Sequence, residues 1–441
     1  MKKRKLAAVV MAAGLGKRMQ SATPKHFHSL LGRRMVDWVL ESARALRPER
    51  LVVVAGPAWS DAFTEVEVAV QQTPRGTGDA VASARALLAD FDGDILIVPG
   101  DAPLVSTETL RGLVEEHRAQ AVDGTVLSFA PAEPLPYGRI VRDEAGELRR
   151  IVEAVDASAE ELEIRELNAS LYVFAAEGLW SALERLDAAN AQGELYLTDT
   201  IEHLLADGRT VAVHPAQAPE ELQGVNNRVE LAQAAARLRD RINRAHMLAG
   251  VTLVDPVSTW IEPEVVIEPD AVIHPFTVLR GRTRIASGVE IRPFVEVVDT
   301  AIGPDTSVGP FCYLRPGTVL GAGSKAGTFV EIKNTSVGDG AKVPHLSYVG
   351  DAEIGEGTNL GAGNITANFA HQPGQPKKRT TIGRNVRTAI HNGFIAPVTI
   401  GDDAWTAAGS IITDDVPPGA LAGFAPRQVT RRGYVYGKRD D

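Results

Sequence analysis

The stretch AIGPDTSVGPFCYLRPGTVLGAGSKAGTFVEIKNTSVGDGAKVPHLSYVG, residues 301–350, places an aliphatic residue at every sixth position. Ile302, Val308, Leu314, Leu320, Ala326 and Ile332 keep the interval, and small slips carry it through Val337, Val343, Val349, Ile354 and Leu360. Many are followed at once by glycine, as in Ile302 with Gly303, Leu320 with Gly321, Val337 with Gly338, Ile382 with Gly383 and Ile400 with Gly401. One inward side chain per short strand cannot shield itself from water, so such strands persist only when successive coils stack into a continuous core. The pattern predicts a parallel β-helix, with glycine turning each corner through the positive φ that it adopts at little cost. Three hexapeptides per coil would give about nine coils, each rising about 4.8 Å. A β-sandwich would not hold a six-residue period for so long. Cys312 lies beside the register and reads as a core or wall residue.

Ahead of the repeat, Arg228 to Leu248 carries Leu231, Ala235, Leu238, Ile242 and Ala245 at helical spacing with charges between them, so it reads as a linker helix. Before that helix, Leu6–Ala12, Leu51–Val54, Ile95–Val98, Thr125–Phe129 and Leu171–Phe174 are short apolar runs suited to buried strands. Helical stretches such as Gly78–Ala89 and Thr107–Arg118 separate them. This alternation predicts a doubly wound, Rossmann-like parallel sheet with its site at the carboxyl ends of the strands. The fold class is α/β plus β: a domain over residues 1–227, a linker helix over 228–249, and a left-handed β-helix of hexapeptide repeats with a tail over 250–441.

The 441 residues are 44% hydrophobic and 23% charged, the composition of a soluble protein of two or more domains. A net charge of -10 argues against a nucleic-acid or anionic-membrane surface. A single cysteine excludes a disulfide framework and fits a reducing cytoplasm. The opening MKKRKLAAVVMAAG is basic and then apolar like a signal peptide, but the apolar run is short and ends in a glycine-rich loop with Lys17 and Arg18. It reads better as a first buried strand, with no membrane insertion.

Three features of the first half carry chemistry. Ala12, Ala13, Gly14, Leu15, Gly16, Lys17 and Arg18, then Lys25, follow the first strand. Glycines there let backbone N–H groups approach phosphate oxygens, and the cations offset their charge. The loop does not fit the Walker pattern, and glycine-rich strand ends occur in many folds. Asp101, after Pro99 and Gly100 at the end of a buried strand, is placed either to hold Mg²⁺ or to cap a helix. Asn226 could add an amide oxygen to the metal or simply cap the linker helix.

The strings MAAGLGKRM, RGTGDA, PGDAPL, YGRI, IVEAVDA, LNASLYVF, ELYLTD and GVNNR, followed by HLSYVGDAEIGEGTNLGAGNIT, stand in a distinctive order. Their order, together with the repeat, resembles the bacterial bifunctional N-acetylglucosamine-1-phosphate uridyltransferase / glucosamine-1-phosphate N-acetyltransferase family over nearly the whole chain. The resemblance implies that Met11, Ala12, Ala13, Gly14, Lys25, Gln71, Gly76 and Thr77 hold UTP. It places Asp101 and Asn226 on Mg²⁺, and Pro99, Gly100, Gly138, Glu153, Asn168 and Asn226 around N-acetylglucosamine 1-phosphate. An oxygen of that phosphate would attack the α-phosphorus of UTP and pyrophosphate would leave, with Arg18 and Lys25 neutralising charge.

In the second half the resemblance makes His345 the general base for attack of the glucosamine 1-phosphate amine on acetyl-CoA, with Glu331 orienting it from a neighbouring coil. Arg315 and Lys333 would clamp the phosphate. Tyr348, Asn359, Ala362, Asn368, Phe369, Ile390 and Ala408 would complete the acetyltransferase site, and the protein would form homotrimers. A second reading keeps the uridylyl chemistry and makes the β-helix chiefly a trimerising scaffold with weak or altered acyl transfer.

The chain departs from the family pattern at several places. Pro99 stands for tyrosine and Val155 for lysine. Phe369 and Ala370 replace tyrosine and aspartate, and Ala389, Ile390 and His391 replace Gly-Ser-Asp. Ala425 replaces an arginine expected to meet CoA phosphate, with Arg427 close by. The loop from His371 to Thr380 is either a solvated excursion or a source of compensating cations in Lys377, Lys378 and Arg379.

Overall fold

The computed structural model describes residues 4–14, 16–131, 135–369, 375–424 and 428–436. Leu15, Ala370, the start of the loop at His371, Ala425 and Arg427 lie outside the described residues. The chain divides into two compact units, Met1–Leu238 and Arg239–Asp441, and the division falls within a helix that spans Arg228–Leu248.

In the first unit the main sheet runs in the order Val211–Pro215, Gly124–Phe129, Leu167–Ala175, Gly93–Pro99, Lys5–Met11, Arg50–Ala55, Glu67–Val70. Strand faces alternate, so both sides need cover. Ala8 and Val10 pack with Val53, Leu96 and Val98 on one side, while Ala7 and Val9 pack with Val52, Val54, Ile95 and Ile97 on the other. Helices Met35–Arg44 and Thr107–Gln120 bury apolar residues in the first layer, and Thr77–Ser83, Ala176–Leu183 and Asp199–Ala206 in the second.

One expected parallel strand is reversed. Leu167–Ala175 runs antiparallel to both Gly93–Pro99 and Gly124–Phe129. Periodicity reports burial and cannot report direction. The reversal brings the first residues of this strand, including Asn168, to the edge where its neighbours end. The stretch expected as one helix from Gly78 also breaks, into Thr77–Ser83 and a 3₁₀ turn at Arg85–Leu88.

In the second unit short parallel strands stack on three faces. Ile285, Ile302, Leu320, Val337, Ile354, Ile382 and Ile400 are successive partners on one face. Val308, Ala326 and Val343 align on a second face, and Leu314, Ile332 and Val349 on the third, which carries nine strands. Three hexapeptides therefore make one coil. The ladder steps from Ile354 directly to Ile382.

Gly309, after Val308, has the expected positive φ of +90°, but most glycines that follow the aliphatic positions have a different reason. Gly321, Gly338 and Gly383 are not among the positive-φ residues. A Cβ on any of them would stand 2.7 Å from a backbone nitrogen of the next coil, at Asp339, Glu356 and Asp402 respectively. Close stacking, not backbone handedness, selects glycine there. A column of buried threonines also escaped the sequence reading: Thr300, Thr318 and Thr335 each return a hydroxyl to a corner carbonyl at 2.8–2.9 Å, so each buried hydroxyl finds a partner within its own turn.

Candidate functional site

Three chain segments meet at the carboxyl edge of the first unit's sheet. Parallel pairing sets Met11 opposite Pro99, and Gly100 donates its N–H to the Met11 carbonyl at 2.8 Å. A Cβ on Gly100 would press on that carbonyl at 2.7 Å and on His26 at 3.2 Å, which explains the glycine. Pro99 closes its strand at a position where no N–H is demanded of it.

The 3₁₀ turn Lys25–Phe27 aims Lys25 into this edge, where its ammonium pairs with the Asp101 carboxylate. The Asn226 amide oxygen accepts from Arg18 at 2.8 Å and faces the Lys25 ammonium at 3.4 Å. Val225 donates its N–H to the Asp101 carbonyl at 2.8 Å, and Gly224 donates to the Tyr137 hydroxyl at 2.8 Å. Burial raises the Asp101 carboxyl, but the Lys25 charge leads the opposing causes and the net direction is down. Asp101 is therefore an anion at neutral pH.

Among the described residues no group of three His, Cys, Asp or Glu side chains could hold a metal alone. Asp101 and Asn226 nevertheless turn two oxygens toward one cation, here the Lys25 ammonium. A pair of hard oxygen donors is the contribution a protein makes to Mg²⁺ when phosphates supply further ligands, so the residues fit the ion.

Gln71, Gly76 and Thr77 form the next wall. The Gln71 amide donates to the Gly76 carbonyl at 3.2 Å and to Asp79 at 2.8 Å. Leu197 donates its N–H to the Thr77 hydroxyl at 3.0 Å. Gly76 has φ +118°, and a Cβ there would stand 2.5 Å from the Leu195 carbonyl oxygen, so only glycine fits.

On the far side, Asn168 donates its N–H to the Gly138 carbonyl at 2.8 Å, and its side-chain amide reaches the Tyr172 hydroxyl at 2.6 Å. Glu153 accepts from Thr198 at 3.2 Å. Burial pushes its carboxyl above the ordinary range; Thr198 opposes this, while Asp199, Asp156 and Glu194 add to it. Exposed Val155 presents no cation.

Two residues of this edge were not singled out from sequence. His26 is buried below the loop, and burial followed by the Lys25 charge lowers its pKa to about 4, so it is neutral at pH 7. Tyr137 positions Gly224. Neither has a spacing signal; only the assembled fold gives them a partner.

In the second unit the expected acetyltransferase residues gather along one face and its two edges. At one edge Gly363 donates its N–H to the His345 carbonyl at 3.3 Å, His391 to Ala362 at 2.8 Å, and Gly409 to Ile390 at 2.9 Å. His345, Ala362, Ile390 and Ala408 thus lie on or beside one vertical column. The His391 ring leans over Gly363, where a Cβ would come within 2.5 Å of Nδ1. Asn359 is exposed on the adjoining face, bridged to Lys342 and Arg387.

The face between the edges carries Tyr313, Glu331, Tyr348 and Ile365 in register. Beyond it lie Arg315 and Lys333. Lys377 crowds the Lys333 ammonium and with Arg315 lowers its pKa. Such a cation cluster is suited to an anion.

The expected pairing of Glu331 with His345 is not found. Glu331 accepts from Arg315 at 2.7 Å and lies opposite Tyr348 in the ladder, whereas His345 lies opposite Thr328. Glu331 lies within a strand of one face, while His345 ends a strand of the preceding face. Asn368 is buried, and Phe369 and Ile390 are exposed. Cys312 is buried in the β-helix core, and burial pushes its thiol up to about 12, which makes it unreactive.

Residues 8–202 match the MobA-like NTP transferase domain. The chain is 46% identical to the bifunctional protein GlmU of Mycolicibacterium gilvum, covering 98% of this chain and 92% of that one. It is 45% identical to the bifunctional protein GlmU of Corynebacterium efficiens, covering 98% and 94%, and 45% identical to that of Mycobacterium tuberculosis, covering 98% and 92%. Similarity of this extent spans both units, and the chain belongs to the GlmU family of bifunctional proteins.

Proposed function

We propose that the protein makes UDP-N-acetylglucosamine in two steps, acetylating glucosamine 1-phosphate with acetyl-CoA and then transferring UMP from UTP to the N-acetylated product. The observation that carries the reading is the convergence of Arg18 and Lys25, Asp101, and Asn226, from three segments of the chain, on one strand edge beside a glycine-rich loop.

At this edge Met11 to Gly14, Gln71, Gly76 and Thr77 bind the nucleotide, and Gly138, Glu153 and Asn168 bind the sugar phosphate. A phosphate oxygen of N-acetylglucosamine 1-phosphate forms a bond to the α-phosphorus while the bond to pyrophosphate breaks. Mg²⁺ held by Asp101 and Asn226 would neutralise phosphate charge. Lys25 and Arg18 orient the phosphates and neutralise the charge that develops on the leaving group, so no side-chain nucleophile is required.

On the β-helix, Arg315, Lys333 and Lys377 hold the phosphate of glucosamine 1-phosphate at one edge. His345 at the other edge takes the proton from the sugar amine as the amine attacks the thioester carbonyl. The carbon–sulfur bond breaks and CoA leaves as the thiol. An exposed imidazole suits the transfer.

The stacked rings of Phe276, Phe294, Phe311 and Phe329, with centroids 4.8–5.1 Å apart, support homotrimerisation. An aromatic column about half exposed in the single chain invites cover by a second copy. No helix among the described residues is long and apolar enough to cross a membrane, and the single cysteine supports a cytoplasmic setting.

Two variants assayed for both steps test the reading. Asp101→Ala should abolish Mg²⁺-dependent pyrophosphate release and leave thiol release from acetyl-CoA intact; His345→Ala should do the reverse. Wild-type thiol release no greater than that of His345→Ala would reduce the β-helix to a scaffold.

A further inference from the structure

Asp351, which follows the Tyr348 strand, is 5% exposed, with φ +49°. Its backbone is fixed on both sides, its N–H donating to the Lys333 carbonyl at 3.0 Å and its carbonyl accepting from Thr380 at 3.2 Å. Each carboxylate oxygen receives one amide: Asn334 Nδ2 donates to Oδ1 at 2.5 Å and Asn368 Nδ2 to Oδ2 at 2.5 Å. Asn368 Nδ2 also reaches the Tyr348 hydroxyl oxygen at 3.4 Å. Gly350 permits this arrangement, since a Cβ there would overlap both the Tyr348 hydroxyl and the Asn368 amide.

The donor and acceptor roles in this chain are forced. An ionised carboxylate only accepts, so Asn368 must present its NH₂ inward. That NH₂ occupies a lone pair of the Tyr348 hydroxyl, and the hydroxyl proton is left to point away from it. The proton then faces the same surroundings as Arg315, whose charge interacts with Tyr348, and Lys333, which lies beside Asp351. Two donor-only cations and an outward hydroxyl proton around one spot select an anionic oxygen.

We propose that Asp351 is a positioning residue of the acetyltransferase site that, through Asn368, turns the Tyr348 hydroxyl proton outward to donate to the phosphate of glucosamine 1-phosphate. The inference rests on the acetyl-transfer reading above and adds a residue that touches no substrate. Only a carboxylate offers acceptors to both asparagines. With Asp351→Asn one acceptor becomes a donor, so Asn368 rotates to present its oxygen, and the Tyr348 proton is drawn inward to it. Asparagine tolerates the left-handed backbone of this position, so the substitution reverses polarity without straining the chain.

The test is steady-state thiol release with glucosamine 1-phosphate varied at saturating acetyl-CoA. Asp351→Asn and Tyr348→Phe should each raise KM for glucosamine 1-phosphate about tenfold with kcat within about twofold of wild type, the size expected for one lost hydrogen bond to a charged group. The double variant should show the same rise of about tenfold, not about a hundredfold, because both changes remove one proton donation. Uridylyl transfer and the melting temperature should stay at wild-type values. If Asp351→Asn melts early, Asn368→Ala should reproduce the KM rise and the same non-additivity with Tyr348→Phe. An unchanged KM in Asp351→Asn, or effects that multiply in the double variant, would overturn the relay. A wild-type protein that releases no thiol would instead remove the acetyl-transfer reading, and the relay with it.

Discussion

Asp199 opens the helix Asp199–Ala206, and burial, then Glu202, Asp187 and Asp156, raise its pKa from 3.8 to about 6. Between those two values the folded chain keeps a proton that the unfolded chain has released, so this group makes stability fall as pH rises through the window. Asp199→Asn should therefore be more stable than the parent at pH 7, with the advantage shrinking as pH falls from about 6 and gone below 3.8. Melting temperatures of both proteins across pH 3.5–7.5 check this; a constant difference would contradict it. Residue placement was legible unevenly. The meeting of Lys25, Asp101 and Asn226 was legible because a cation, a carboxylate and an amide after apolar runs or before a helix have a chemical reading. His26 and Asp351 were not, because their significance is a burial and a partner rather than a spacing. The partner that Glu331 finds in Arg315 was not legible, because alternation along a strand does not reveal which side chain of the next coil it meets.

At the scale of elements, the turn leading into the helix Thr77–Ser83 depends on Gly76, and the β-helix depends on its aliphatic columns. Gly76→Ala combines a positive φ with a clash against the Leu195 backbone. It should cost about 2–4 kcal/mol. Gly146 also has positive φ, +84°, but open space around its Cβ, so Gly146→Ala should cost about 1–2 kcal/mol. Denaturant titration of the two variants distinguishes them, and equal losses would show that the contact with Leu195 is yielding. The hexapeptide period was readable because inward side chains repeat it in every coil. The reversal of Leu167–Ala175 was not, since parallel and antiparallel buried strands share one apolar signature.

At the scale of the molecule, the sequence reading followed inward positions and passed over the outward column of Phe276, Phe294, Phe311 and Phe329, which becomes a continuous stripe only once the coils are stacked. Phe311 is at its middle, 47% exposed, and Phe311→Asp would place a charge in any interface built on it. Light scattering behind a sizing column should find three copies for the parent and one for the variant; a monomeric parent, or a trimeric variant, would show that the stripe is not the seam.

Two chemistries in one chain are tested most directly in a single vessel. The wild-type protein is incubated with glucosamine 1-phosphate, acetyl-CoA, UTP and Mg²⁺, and the sugar products are followed by mass spectrometry. UDP-N-acetylglucosamine should accumulate with equal amounts of free CoA and pyrophosphate, and omission of acetyl-CoA should stop it. Accumulation of the uridylylated product only when N-acetylglucosamine 1-phosphate is supplied ready-made, with no thiol released, would contradict the claim.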